Sequence, residues 1–173
     1  SAILIEPTTK AILYEKNAQE KMAPASMTKV MSMLLIMEEI DSGRLKLSDL
    51  VLISKNASGM GGSQIFLDEG SNVKVEELLK GVAIASGNDA VVALAEKIAG
   101  SESAFVDLMN NKTKKLGLKN SHFVNSHGLD AENHYSSAYD MAIMAVELLK
   151  YPDILKYTSI YEDYFNKPNG SKT

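Results

Sequence analysis

Ser26 and Lys29 stand three positions apart in Ser26-Met27-Thr28-Lys29, and Ser86-Gly87-Asn88 follows sixty positions later. A serine hydroxyl is a weak nucleophile until a base takes its proton. A lysine one helical turn away is such a base if it is held neutral. A second serine with an amide completes the site. The set suits acyl transfer through a covalent serine ester.

The spacing alone carries little, because the chain holds a second copy in Ser71-Asn72-Val73-Lys74. Context separates the two. Ser26 follows Met22-Ala23-Pro24-Ala25 and opens a long apolar run that reaches Ile40. Pro24 stops a helix from entering from upstream and fits a helix start. Met27, Val30, Met31, Met33, Leu34, Leu35, Ile36, Met37 and Ile40 cover nearly the whole helical circumference, which predicts a central, buried helix over residues 26–42. Residues 27–42 are expected to form the most buried helix of the chain. Ser26 then sits in the first turn, where free backbone N–H groups and the helix dipole favour developing negative charge. Lys29 shares its face, and desolvation there lowers the lysine pKa so that a neutral amine can accept the serine proton. Ser71, by contrast, follows the turn Asp68-Glu69-Gly70 and precedes Val75-Glu76-Glu77-Leu78-Leu79. Ser71 or Asn72 reads as the cap of a surface helix.

These residues must be positioned by a chain of 173 residues, enough for one domain with a core. A net charge of −4 is too mild to point to a partner, and basic residues do not cluster with aromatics, which gives nucleic-acid binding no support. The longest apolar stretch, residues 31–37, is far short of the ~20 residues of a membrane span. With no cysteine there are no disulfides and no thiolate metal sites. His122, His127 and His134 match no helical ligand pair, so no metal is expected, and no cofactor either.

Residues 2–6 and 11–16 read as a strand hairpin about Pro7-Thr8-Thr9-Lys10, and residues 50–53 as a short strand. Ser58-Gly59-Met60-Gly61-Gly62-Ser63 is a glycine-rich loop without the ending of a nucleotide loop. Helices are expected over 75–84, 89–99 and 103–116, the last two stopped by Gly100 and Gly117. Gly87 permits a tight turn between the first two. Residues 121–135 read as irregular. Ser137 and Asp140 suggest a capping box for a helix to about residue 150. Residues 160–165 are a candidate strand, and Asn166-Lys167-Pro168-Asn169-Gly170 a turn. The polar Ser86-Gly87-Asn88 break lies between Ala83-Ile84-Ala85 and Ala90-Val91-Val92, where its hydroxyl and amide need partners.

With these residues in view, the chain resembles the low-molecular-mass penicillin-binding proteins, the serine-type D-alanyl-D-alanine carboxypeptidases of bacterial cell walls. Pro24-Ala25-Ser26-Met27-Thr28-Lys29 is similar to their first motif and Ile84-Ala85-Ser86-Gly87-Asn88-Asp89-Ala90 to their second. His127-Gly128-Leu129-Asp130 and Tyr135-Ser136-Ser137-Ala138-Tyr139-Asp140-Met141-Ala142 resemble further segments. The third motif, Lys-Thr-Gly on a sheet strand, is absent, and the ending Ser171-Lys172-Thr173 is not a clipped copy of it. The resemblance implies a mixed α and β fold of the DD-peptidase and β-lactamase type. Here that would be its mostly helical part plus N-terminal strands, a single domain over 1–173 that is incomplete at the C-terminus. It further implies hydrolysis of the terminal D-alanyl-D-alanine bond of peptidoglycan stem peptides, with β-lactam antibiotics as acylating inhibitors. Ser26 is the implied nucleophile, Lys29 its base and Ser86 the proton relay to the leaving amine. Asn88 orients Lys29 and binds the substrate amide, and His127 forms a wall. The implied location is the outer face of the cytoplasmic membrane or the cell wall, with membrane attachment only through a C-terminal anchor not present in the chain.

Two other readings stay open at the level of sequence. A class A-like β-lactamase needs a deacylating glutamate followed four positions on by asparagine, and Glu162 and Asn166 have that spacing, although seventy-six positions past Ser86. A non-catalytic binding module of the same fold would keep the architecture without the chemistry.

Overall fold

The apolar run after Ser26 forms α1 (Lys29–Asp41), entered through a single 3-10 turn over Ala25–Thr28 that Pro24 caps with φ −79°. The computed structural model describes residues 1–165; the expected turn at Asn166-Lys167-Pro168-Asn169-Gly170 and the tail Ser171-Lys172-Thr173 lie outside the described residues. Gly43, just past the end of α1, takes the left-handed φ of +75° that a helix stop of this kind needs. The all-round apolar pattern of α1 is met by α4 (Asn88–Ala99), α5 (Glu102–Leu116) and α6 (Ala138–Leu148), which pack against different sides of it. Met31, Leu34 and Ile36 are fully buried between them.

The expectation that residues 27–42 form the most buried helix is corrected. α4 holds that place, since every residue from Asn88 to Ala95 is buried, whereas Met27 is 56% exposed. The small alanines and valines of α4 let α1, α5, α2 (Lys55–Ser58) and α3 (Val75–Ala85) all close around it. Burying a Leu, Ile or Met side chain is worth about 1.5–3 kcal/mol, against about 1 kcal/mol for one hydrogen bond. The packing of α1 on α4 therefore fixes where the polar groups at their N-terminal ends meet.

The hairpin forms as expected, from β1 (Ala2–Ile5) and β2 (Ile12–Lys16), antiparallel with Ala2 opposite Lys16. Its turn is tied by Glu6, whose carboxylate accepts the Thr8 and Thr9 N–H groups and the Thr9 hydroxyl. β1 lays Ile3 and Ile5 toward α6, while every residue of β2 is exposed.

A second two-stranded sheet pairs β3 (Leu50–Leu52) with β4 (Asn72–Lys74). This overturns the reading of Ser71 or Asn72 as a helix cap. Val73 is buried between exposed Asn72 and Lys74, so the period-two alternation governs, and α3 begins only at Val75. Ser71 and Lys74 consequently do not share a helical face, and the Ser71 hydroxyl is spent on the Asp68 carbonyl at 2.7 Å.

Two smaller expectations also change. Residues 160–165 are not a strand; no strand edge among the described residues faces them, and they lie instead against α3, with Asp163 paired to Lys80 at 3.2 Å. They follow a short 3-10 turn and α7 (Leu155–Thr158). Ser137 caps α6 by accepting the Asp140 N–H, but the Asp140 carboxylate does not return the bond. It accepts the Asn120 N–H and the Ser121 hydroxyl, each at 2.8 Å, which fastens the irregular segment to α6.

Candidate active site

Ser26 lies in the 3-10 turn that precedes α1, and the residue before it, Ala25, is held at φ +48°. A left-handed alanine is strained, and strain of this kind persists only where surrounding structure imposes it. Here the imposing element is Gly128. Its φ is +95°, and a Cβ built on it would lie 1.9 Å from the Ala25 carbonyl oxygen. Only glycine lets the two backbones approach so closely. Below this contact the Thr28 side chain is fully buried against His134. The Val124 N–H donates to His134 Nδ1 at 3.1 Å, so the ring proton sits on Nε2 and is donated to Thr28 Oγ1 at 2.8 Å. Burial and the neighbouring histidines hold the His134 pKa below its usual value, in keeping with a neutral ring.

Lys29 is 3% exposed, and its ammonium nitrogen is shared among three oxygens. It donates to Asn88 Oδ1 at 2.7 Å and to the His127 carbonyl at 2.8 Å, and it lies 3.4 Å from Ser26 Oγ. No carboxylate among the described residues touches it. Burial without a counter-charge lowers its pKa to about 8. Roughly a tenth of the amine is then neutral at pH 7. Ser26 itself is exposed, so its hydroxyl faces solvent while its base stays dry.

Asn88 is the first residue of α4 and is fastened from three sides. Its Nδ2 donates to the Gly61 carbonyl at 2.7 Å, its backbone N–H to the Ser63 carbonyl at 2.7 Å, and its Oδ1 accepts from Lys29. Next to it, the fully buried Asp89 carboxylate accepts the N–H groups of Ile65, Leu67 and Ala90, pinning the end of the glycine-rich loop to the start of α4. Ser86 forms the left-handed junction of α3 and α4, with φ +54°, and Gly87 N–H closes the turn on the Gly81 carbonyl at 3.0 Å. Gly87 itself has φ −60°, so its role differs from the expected one. A Cβ there would stand tight against Asp89 Oδ1 at 3.0 Å and the Gly81 carbonyl at 3.3 Å, so glycine keeps this junction uncrowded.

Of the sequence-predicted residues, Ser26, Asn88 and His127 line one cavity of about 220 Å³, together with Ala25, Gly128, Leu129 and His134. Lys29 connects them from beneath. His127 contributes its backbone carbonyl to Lys29, while its ring points away, toward Glu102 at 3.5 Å. Ser86 is not among the lining residues, and its hydroxyl makes no hydrogen bond among the described residues. Glu162 is exposed and lines no part of this cavity. Sequence reasoning missed Thr28, His134 and Glu102, and it set aside the glycine-rich loop that holds Asn88. Gly62 was the available signal: a glycine not needed for a phosphate marks a close approach to something else, here the Asn88 side chain. Among the described residues no three metal-ligating side chains converge, and no helix is long and apolar enough to cross a membrane.

Residues 1–172 match the peptidase S11 family, described as D-alanyl-D-alanine carboxypeptidase. The chain is 60% identical over 172 residues to D-alanyl-D-alanine carboxypeptidase DacF of Bacillus subtilis (strain 168), covering 99% of this chain and 44% of that protein. Among solved structures it is similar to D-alanyl-D-alanine carboxypeptidase DacD from Francisella tularensis, with a TM-score of 0.94 and 36% identity over 99% of this chain and 42% of that one. It is also similar to penicillin binding protein 5 from Haemophilus influenzae, with a TM-score of 0.90 and 38% identity over 98% and 50% of the two chains. The fold is therefore the mixed α and β one of these proteins, and the chain spans about half the length, or less, of the curated relatives it matches.

Proposed function

The chain belongs to the D-alanyl-D-alanine carboxypeptidase family, and on that premise we propose that its site hydrolyses the terminal D-alanyl-D-alanine bond of peptidoglycan stem peptides through an acyl-Ser26 intermediate. The observation that carries this reading is Lys29: a buried amine with a pKa near 8, 3.4 Å from Ser26 Oγ and aimed by Asn88 and the His127 carbonyl.

The Ser26 oxygen adds to the peptide carbonyl carbon, and its proton passes to neutral Lys29 Nζ. The carbonyl oxygen becomes an oxyanion. The Ser26 N–H, at the open end of the 3-10 turn, supplies one donor to it; losing such a donor typically costs ~10²–10³ in rate. Collapse breaks the C–N bond, and the leaving D-alanine amine takes the proton that Lys29 Nζ gained. Water then attacks the ester with Lys29 again as base, freeing Ser26. Asn88 Nδ2 and the cavity wall at His127 hold the substrate chain. A penicillin would acylate Ser26 in the same way, but its ring-opened amine stays tethered and blocks the water. Such chemistry belongs at the outer face of the cytoplasmic membrane, where the peptidoglycan stem is found.

The test is covalent labelling of the intact protein with a fluorescent penicillin. A stable adduct on Ser26, absent from Ser26→Ala, is expected. No adduct on folded protein would mean a binding module, and an adduct lost as fast as it forms would mean a β-lactamase.

A further inference from the structure

Glu102 is the first residue of α5, the helix that follows α4 in the chain. Its Oε1 accepts both the backbone N–H of Ser126 at 3.0 Å and the Ser126 hydroxyl at 2.7 Å. The same oxygen lies 3.5 Å from His127 Nε2. The Leu129 N–H donates to His127 Nδ1 at 3.1 Å, so the ring proton is on Nε2 and faces this carboxylate. On the other side, Ser32 of α1 donates its hydroxyl to the Ser126 carbonyl at 2.6 Å. Two helices, α5 and α1, thus converge on two consecutive residues of an otherwise irregular segment. The next carbonyl along, that of His127, is one of the three oxygens on Lys29. Ser32, Ser126 and His127 are each at most 6% exposed, so water cannot replace these bonds cheaply.

We propose that Glu102 is a positioning residue for this reaction: its carboxylate sets the Ser126–His127 backbone so that the His127 carbonyl steers Lys29 onto Ser26. The inference rests on the acyl-serine reading above. Geometry rather than charge is the operative property, because Glu102 reaches Lys29 only through two hydrogen-bonded backbone groups. The ionisable groups that face this network are His127 itself, His134 beneath Thr28, and Glu102. Asp89, the nearest carboxylate on α4, is committed to the Ile65, Leu67 and Ala90 amides.

The experiment is stopped-flow penicillin acylation of the intact protein across pH, with the rate constant normalised to the fraction that labels. Glu102→Gln keeps an oxygen for Ser126 and is expected to stay within about threefold of wild type. Glu102→Ala is expected to slow acylation by about tenfold or more, and to move the pH inflection down by about one unit as the amine loses a well-placed acceptor. A variant that is merely less stable would lower the labelled fraction and leave the rate constant and inflection alone. Glu102→Ala acylating at the wild-type rate with an unchanged inflection overturns the proposal. So does Glu102→Gln falling as far as Glu102→Ala. Failure of wild type to label at all would count against the acyl-serine reading instead, which keeps the two apart.

Discussion

Lys29 is where burial becomes chemistry. An amine enclosed by an amide oxygen, a carbonyl and a hydroxyl, with no carboxylate among the described residues in contact, pays desolvation without a compensating ion pair, and its pKa falls to about 8. The sign follows directly. Below pH 8 the amine is mostly protonated and cannot accept the Ser26 proton, so the acylation rate should rise about tenfold per pH unit and level off above pH 8. Lys29→Ala should cut acylation by at least ~10² and flatten this rise. A flat profile for wild type between pH 6 and pH 8, or normal acylation by Lys29→Ala, would show that another group is the base. Stability should move the same way, because the unfolded lysine binds more protons than the folded one between about pH 8 and its ordinary value of about 10.4. Folding therefore gains as pH rises through that window.

At the scale of elements, the site is a junction of three N-terminal ends and one irregular segment, and the glycine-rich loop shows how narrow its tolerances are. Gly62 has φ +77°, and a Cβ there would stand 2.8 Å from Asn88 Nδ2, whereas a Cβ on Gly61 meets nothing within 4 Å. Gly62→Ala should therefore push Asn88 off Lys29 and lower penicillin acylation by ~10-fold or more, since misplacement of about 1 Å can cost ~10². Gly61→Ala, one residue away on the same loop, should acylate nearly as wild type; equal effects from the two would show that loop flexibility, not the Asn88 contact, is at issue. This loop also marks the limit of what the sequence disclosed. The helices at 75–84, 89–99 and 103–116 were legible because apolar periodicity and glycine stops are local signals. Ser26, Lys29 and Asn88 were legible because their types and spacing are chemical. The short β4 was not, because a three-residue strand is set by a partner strand twenty positions away rather than by its own pattern. Nor was the contact of Gly128 on Ala25, or Glu102 behind His127, since backbone approach and buried acceptors between residues distant in the chain leave no local trace.

The molecule as a whole leaves the β1–β2 hairpin uncovered. Ile3 and Ile5 rest toward α6, but Leu4, Ile12, Leu13 and Tyr14 are each 45–64% exposed, and among the described residues β2 has no second strand beside it. An apolar, open edge of this kind takes up another strand or aggregates. The chain spans 44% of the length of the Bacillus subtilis relative. Expressed alone, residues 1–173 should self-associate as concentration rises, read by sedimentation velocity, and Leu13→Lys should suppress this because it places a charge on the exposed strand. On the acyl-serine reading, the same polypeptide should hydrolyse D-alanyl-D-alanine peptides more slowly than one extended through a Lys-Thr-Gly strand, since the Ser26 N–H is the one oxyanion donor that reading assigns. A monomer at all concentrations would mean that the hairpin is self-sufficient. Equal carboxypeptidase rates in the short and extended forms would mean that everything the reaction needs is already assembled around Ser26, Lys29 and Asn88.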